Sequence, residues 1–335
     1  MVGLLDFLPL PGGPGGWQVS SAAGVGDGAG EGGSRQPVHV PVLLRETMEL
    51  LDLSPGLVVV DGTVGAGGHA RAIARAIRPG GHLIGLDRDS EILACARAAL
   101  AEAAEDAPEQ VRVSLHHVPF SRVQDALHAE GQAACDRLLL DIGVSSLQLD
   151  SAVRGFSFMA DGPLDMRMDP TGPVDAASWL AEVDEVELAR VLFEYGDERY
   201  SRRIARAVVE QRKRTAIVRT GQLVDLIYRA MPGHARSGRI HPATRSFQAI
   251  RMAVNDELGE LQRALEAAVS CVRPGGRICV ISFHSAEDRI VKWFLREHCE
   301  VVTKKPIVAS DEEVRQNPRS RSAKLRCGIV KEIAA

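Results

Sequence analysis

The chain has 335 residues, 45% of them hydrophobic, with 40 Lys and Arg against 44 Asp and Glu for a net charge of −4. This is enough apolar material for one large domain or two. No apolar run approaches bilayer-spanning length, and so mild an acidity excludes reading a nucleic-acid partner from net charge, which would need a local basic patch. The six cysteines are scattered and none forms a C-x-x-C pair, so zinc and redox motifs are unsupported and the thiols read as reduced in a cytoplasmic protein.

Residues 1–36 stand apart. Met1–Leu10 is apolar without a basic leader, and Gly, Ala, Ser and Pro dominate from Pro11 to Gln36. The composition predicts a disordered extension, or a start codon placed too early. Folded sequence begins near Pro37, with His39–Leu53 as an amphipathic helix. Next comes an apolar run, Val58-Val59-Val60, that ends in Asp61. A glycine-dense loop from Gly62 to Gly68 follows, then helix formers from His69 to Ile77. This reads as a buried strand turning into a helix N-terminus over a ligand. The glycines let backbone N–H groups approach closely, and the helix start favours a negative group.

A second strand, His82–Leu86, ends in Asp87, which lies 20 residues after Gly67. That is the spacing of a ribose-hydroxyl acceptor after a glycine loop, so the pair points to a nucleoside-containing cofactor. Gly65-x-Gly67-x-x-Ala70 fits the dinucleotide fingerprint, which keeps NAD as one candidate. The acid ending the first strand and the longer loop suit a cationic ligand such as S-adenosylmethionine. A tight strand–helix turn without a ligand is the bland alternative.

The alternation continues with a helix over Glu91–Glu105 and strands over Val111–Leu115 and Arg137–Ile142, which implies a parallel, doubly wound α/β sheet. It stops at Gly155–Pro173, a loop-like stretch. Helical patterns follow at Ser178–Tyr195, Glu198–Arg214 and Thr220–Met231, then a loop over Gly233–His241. One long helix is expected from Pro242 to about Val272, ended by Arg273-Pro274-Gly275-Gly276. A strand over Arg277–Ser282 comes next, then Ser285-Ala286-Glu287-Asp288 as a capping box opening a helix to about His298. Lys324–Glu332 reads as a closing strand. The expected organisation is an α/β core over 37–149 and 242–335, interrupted by a helical insertion over 150–241.

Five segments carry a family resemblance: Leu139–Asp150, Arg154–Asp169, His241–Arg251, Ile281–Arg289 and Asn317–Arg326. They include Asp141-Ile142-Gly143-Val144-Ser145-Ser146, His241-Pro242-Ala243-Thr244-Arg245 and Ser282-Phe283-His284-Ser285. From about Val38 onward the chain resembles the RsmH (MraW) family, the ribosomal RNA small subunit methyltransferases H. The resemblance implies a Rossmann-like methyltransferase core with an inserted helical domain for substrate recognition. It implies transfer of a methyl group from S-adenosyl-L-methionine to the exocyclic N4 of a cytidine in the decoding centre of 16S ribosomal RNA. The implied cofactor residues are Gly67, Gly68, His69, Asp87, Phe120, Asp141 and Gln148. Val118 stands where the family often has glycine, and Leu147 where it often has proline. The segment from Glu300 to Glu312 is shorter than in some members.

Asp141, Ser145 and Ser146 are the candidates for holding the acceptor amine, with a turn or N-cap role as the alternative for the serines. His284 is a candidate for stacking or proton relay, or is a structural histidine beside a helix cap. Asp161, Asp165 and Asp169 lack metal-loop spacing, so a lid is expected there and no metal. Arg199, Arg202, Arg203 and Arg206 share one helical face, and Arg319 and Arg321 lie in a basic tail with Arg315, Lys324 and Arg326. Both clusters are candidates for contact with the RNA of the small ribosomal subunit. No membrane partner is expected, and a homodimer is left open. The competing functions are a DNA amino-methyltransferase, which usually carries a Pro-Pro motif where Gly143-Val144-Ser145-Ser146 stands, and a nonenzymatic S-adenosylmethionine-binding regulator.

Overall fold

The computed structural model describes residues 7–9, 17–19, 41–104, 111–236 and 240–332. In the N-terminal extension, β1 (Phe7–Pro9) pairs antiparallel with β2 (Trp17–Val19). The remainder of 1–36, and with it the expectation of disorder, lies outside the described residues. No helix among the described residues is long and apolar enough to cross a membrane.

The core is a seven-stranded sheet built from β3 (Val58–Asp61), β4 (Gly81–Asp87), β5 (Val111–His117), β6 (Cys135–Asp141), β7 (Val272–Ser282), β8 (Cys299–Val301) and β9 (Lys324–Val330). Its order is β5-β4-β3-β6-β7-β9-β8, and β9 alone runs against the others. Successive residues on both faces are buried: Val59, Val60, Leu83, Ile84, Leu138, Leu139 and Leu140 are all at most 1% exposed. Such continuous apolar runs belong to a parallel sheet covered on both sides.

Helices α1 (Leu44–Leu51), α2 (Gly68–Ala76) and α3 (Ser90–Ala104) cover one face, where Leu51, Ile73 and Leu93 meet Val59, Leu83 and Leu139. On the other face, α4 (Val123–Ala129) supplies Val123 and Leu127 against Val60, Ile84 and Leu140. A short α5 (Ser146–Asp150) follows β6. Each fully buried aliphatic side chain contributes about 1.5–3 kcal/mol.

After α5 come α6 (Ala176–Glu182), α7 (Glu185–Glu194), α8 (Ser201–Arg212), α9 (Thr220–Ala230), α10 (Gly233–Arg236), α11 (Thr244–Val254) and α12 (Glu257–Cys271). Leu180, Leu192, Ile204, Leu223, Phe247 and Ile250 form a separate helical core, so α11 packs its apolar face there. Helix α12 returns to the sheet through Leu261 and Leu265. The chain closes with α13 (Ser285–His298) and α14 (Asp311–Gln316) around β8 and β9.

Several element boundaries differ from the sequence reading. The expected helix Ser178–Tyr195 is two helices, because Val183 turns to ψ 135° and Asp184 caps α7 by accepting from the Glu187 amide. The long helix expected from Pro242 breaks at Asn255–Asp256, where Asp256 has φ 46°. Asn255 leaves the helical register to serve a distant loop, donating to Met166 O and accepting from Met168 N, each at 2.7 Å. Strand β7 begins at Val272 rather than Arg277, and α1 begins only at Leu44. The capping box of α13 is one residue earlier than expected: Glu287, not Asp288, accepts from the Phe283 and His284 amides.

Candidate active site at the strand ends

Strand β3 has β4 on one side and β6 on the other. The connections leave in opposite directions there, which opens a crevice at the carboxyl ends of these strands. Each of the three ends in an acid: Asp61, Asp87 and Asp141. Asp61 is 1% exposed; its Oδ1 accepts from the Thr63 amide at 3.1 Å and its Oδ2 has no partner. Asp141 donates its own amide to Thr63 Oγ1 at 2.6 Å. Its Oδ2 lies 3.6 Å from His69 Nδ1, and its buried Oδ1 has no hydrogen-bond partner.

Burial is the main force on all three carboxyls, because it penalises the charged form. It lifts Asp141 to about 8, helped by Asp61. It lifts Asp61 to about 7, with Asp87 adding to the effect, and Asp87 to about 6 against the pull of the Asp89 and Gly65 amides. Three acids at one edge, two with an unpaired buried oxygen, make a site that is incomplete without positive charge. Among the described residues no set of His, Cys, Asp and Glu is grouped to hold a metal ion.

The glycine loop wraps Asp87. Gly65 N–H donates to Asp87 Oδ2 at 3.0 Å, and Asp89 N–H donates to Oδ1 at 2.9 Å. Gly67 caps α2 with φ 88°, a conformation that favours glycine. Gly68 is required by packing, since a Cβ there would sit 2.4 Å from Pro41 Cγ. His69 is buried, with Nε2 3.1 Å from Val42 O. Phe120 opens a short turn and backs the loop at Gly62, where a Cβ would come within 3.0 Å of it. Val118 packs against the core beside it, while Leu147 projects into solvent.

Ser145 is the N-cap of α5: its Oγ accepts from the Gln148 amide at 3.1 Å, and Gln148 Oε1 accepts from the Ser145 amide at 2.9 Å. Ser146, next to it, is half-buried. Gln148 is 4% exposed and also donates to Asp89 Oδ2 at 2.9 Å. Asp89 is fully buried and accepts from Arg154 Nη2 at 2.8 Å. The same guanidinium donates to the carbonyls of Arg167 and Met168, which ties the 155–169 loop to the cofactor loop. Asp161 ties that loop to the start of α9 through Arg219 and Gly221, while Asp165 pairs with Arg167 and Asp169 accepts from Thr171.

Asp61 was legible as a strand-ending acid. Thr63, Asp89 and Arg154 were not singled out, and the only local signal was the acid pair in Asp87-Arg88-Asp89.

Arg202, Arg203 and Arg206 are exposed on α8, with Arg199 exposed in the turn before it, while Ile204, Ala205 and Val208 face the helical core. Arg206 lies 3.6 Å from Glu185. The basic tail is not an open cationic patch as expected: Arg319 pairs with Asp150, and Asp288 takes both Arg326 and Lys324. Arg321 remains exposed. His284 is 3% exposed, set 2.5 Å from Gln248 Nε2 and 3.4 Å from Arg251 Nη2, and burial with the Arg251 charge holds it well below its ordinary pKa. It is held neutral and buried at the N-cap of α13.

A family model described as the MraW methylase family matches residues 36–331. A Symbiobacterium thermophilum protein called ribosomal RNA small subunit methyltransferase H is 49% identical, covering 87% of this chain and 96% of its own length. A Methylococcus capsulatus protein of the same name is 50% identical over 85% of this chain and 98% of its own. A solved structure of a putative rRNA-methylase from Clostridium thermocellum aligns over 88% of this chain at 13% identity and a TM-score of 0.40, a distance at which it adds nothing. With nearly the whole folded region matched, the chain belongs to the MraW methylase family.

Proposed function

We infer that the protein transfers a methyl group from S-adenosylmethionine to the exocyclic N4 of a cytidine in the decoding centre of 16S ribosomal RNA. The observation that carries this reading is the trio of strand-end carboxyls at the crevice, with Asp61 Oδ2 and Asp141 Oδ1 unpartnered. A sulfonium and an α-amino group are the positive charges such a site lacks. The names of the relatives support the rRNA substrate.

When bound, S-adenosylmethionine supplies an electrophilic methyl group. The residues of this chain do the rest. Asp87, already fixed by two amides, has lone pairs left for the ribose hydroxyls. Gly67 and Gly68 keep the loop low, and Phe120 closes the apolar side. Gln148 holds Asp89, and Asp89 holds the Asp87 turn through its neighbours.

The cytosine N4 lone pair is delocalised into the ring, so the amine must be aligned and its hydrogens accepted by a polar group. Asp141 suits that task at the end of β6 through Oδ2, which leaves the buried Oδ1 to the cofactor's cation. Ser145 acts by position, because its hydroxyl is committed to the α5 cap; Ser146 is the neighbouring candidate for touching the amine. The contribution is mainly orientation and electrostatics. Arg199, Arg202, Arg203 and Arg206 would hold RNA phosphates, with Arg321 as a lesser candidate.

Mass spectrometry of small-subunit RNA from cells lacking the gene, with and without add-back, tests the reading. An N4-methylcytidine that disappears on deletion and returns with the wild-type gene supports it. An unchanged modification pattern overturns it, and a lost methyl mark in DNA would assign the enzyme to DNA instead.

A further inference from the structure

The outer face of α13 carries a third basic pattern. Arg289, Lys292, Trp293 and Arg296 stand at i, i+3, i+4 and i+7 and so share one face. The Trp293 indole is 60% exposed, and Arg289 and Arg296 are exposed beside it, while Val291 and Leu295 are buried against the core. The Arg296 guanidinium lies 5.3 Å from the indole centroid and Lys292 Nζ lies 5.9 Å from it.

The acids of the helix are engaged elsewhere. Glu287 caps the helix start, Asp288 pairs with Arg326 and Lys324, and Glu297 lies 3.9 Å from His298. Among the described residues, Arg289, Lys292 and Arg296 form no ion pair. A large exposed aromatic ring between unpaired cations contributes little to folding. It has the make-up of a surface where bases stack and phosphates are neutralised.

The position of the helix gives the pattern a direction. Helix α13 starts directly after β7, whose carboxyl end borders the crevice. Its first residues, Ser285 and Ala286, line a small open cleft together with Tyr195, Asp197, Arg245 and Gln248. Arg245 is partly exposed there, and its guanidinium makes only a long 3.4 Å contact to the Asp197 carbonyl. From Ser285 to Arg296 the helix advances about 16 Å. Cleft and stripe therefore form one path from the strand ends to the outer surface.

We propose that this path is a track for single-stranded RNA, in which Arg245, Arg289 and Arg296 neutralise phosphates and Trp293 stacks on a base beside the acceptor nucleotide. It rests on the ribosomal RNA reading above and adds where the strand runs.

The test uses the full chain, with a labelled single-stranded fragment of small-subunit RNA and intact small subunits as probes. Fluorescence anisotropy across a salt series reads affinity and slope. Arg289→Gln with Arg296→Gln should weaken binding about tenfold and flatten log affinity against log salt by roughly 1.4, since each single-strand phosphate contact contributes about 0.7. Trp293→Ala should weaken binding on the order of tenfold without changing the slope, and Trp293→Phe should restore most of it. Wild-type affinity and slope in all three variants, while the wild-type enzyme still methylates subunits, would overturn the track and leave the reaction intact. Failure of the wild type to methylate subunits would sink the reaction itself. Weaker binding to subunits with unchanged binding to bare RNA would assign this face to a ribosomal protein and also overturn the track.

Discussion

Replacing Asp141 with asparagine should stabilise the ligand-free protein while weakening cofactor binding. Burial and the nearby Asp61 raise the folded-state pKa of Asp141 from 3.8 to about 8. The folded chain therefore retains a proton that the unfolded chain gives up. The contribution of this carboxyl is fully present below about pH 4 and is lost as pH rises through about 8. At pH 7 the interval is about three pH units, and at about 1.4 kcal/mol per unit the upper bound is about 4 kcal/mol. Relaxation and water reduce this to about 1–2 kcal/mol, because effective dielectric constants at such sites are well above those of dry protein. For a chain of this size that corresponds to a rise of roughly 1–3 °C in Tm at pH 7.

The asparagine keeps the backbone bond to Thr63 Oγ1 but cannot ionise. Calorimetric melts from pH 4 to 8 should show wild type and variant together at the acid end and diverging as pH rises. Titration calorimetry should show S-adenosylmethionine affinity lower by about tenfold to a hundredfold, the loss of one charged acceptor. A variant less stable than wild type at pH 7, or one that binds the cofactor as tightly, would refute the argument that the crevice holds unpaired carboxyls for a cation.

Asp87→Ala should weaken the cofactor by a similar factor and also lower stability by about 1–3 kcal/mol, because the Gly65 and Asp89 amides lose their acceptor; unchanged affinity in a folded variant removes Asp87 from the site. Arg154→Met should cost about 3–5 kcal/mol by leaving Asp89 buried without its cation, read by urea unfolding, with faster proteolysis within 155–173. A loss below about 1 kcal/mol would refute the claim that Arg154 holds Asp89 in the fold. Arg202→Gln with Arg206→Gln should lower affinity for small subunits and flatten its salt dependence, with Arg206 contributing less because Glu185 partly holds it; an unchanged salt slope returns this face to ordinary solvated surface.

The central strands β3, β4 and β6 were legible because each is a short apolar run that ends in an acid, a local signal, whereas the three-residue edge strand β8 was too short to read. Asp61, Asp87 and Asp141 could be placed at strand ends for the same reason. What the sequence hid were side chains whose partners are far away in the chain. Asn255 sits in a run of good helix formers, yet its amide serves Met166 and Met168, so the helix breaks there. Arg154 meets Asp89 across 65 residues. The basic tail looked like a patch because charges were counted without their partners, and Asp288 and Asp150 neutralise most of it. The α13 stripe was overlooked because its cations are diluted by the two acids that open the helix, and only the structure shows those acids turned elsewhere.

The same long-range pairs fix the geometry between the helical core and the sheet. Arg154 joins Asp89 to the 155–169 loop, Asn255 joins that loop to the α11–α12 junction, and Arg88 donates to the Asn255 carbonyl at 3.0 Å. On the same face of α11, Arg251 pairs with buried Glu257 at 2.7 Å, and Gln248 meets His284 at the start of α13. Sliding one unit against the other would strip buried Asp89 and Glu257 of their cations, about 3–5 kcal/mol apiece. The cations of α8 and α13 are therefore held at a set distance from Asp141, and the phosphate contacts proposed there would supply binding energy to align one base at the strand ends.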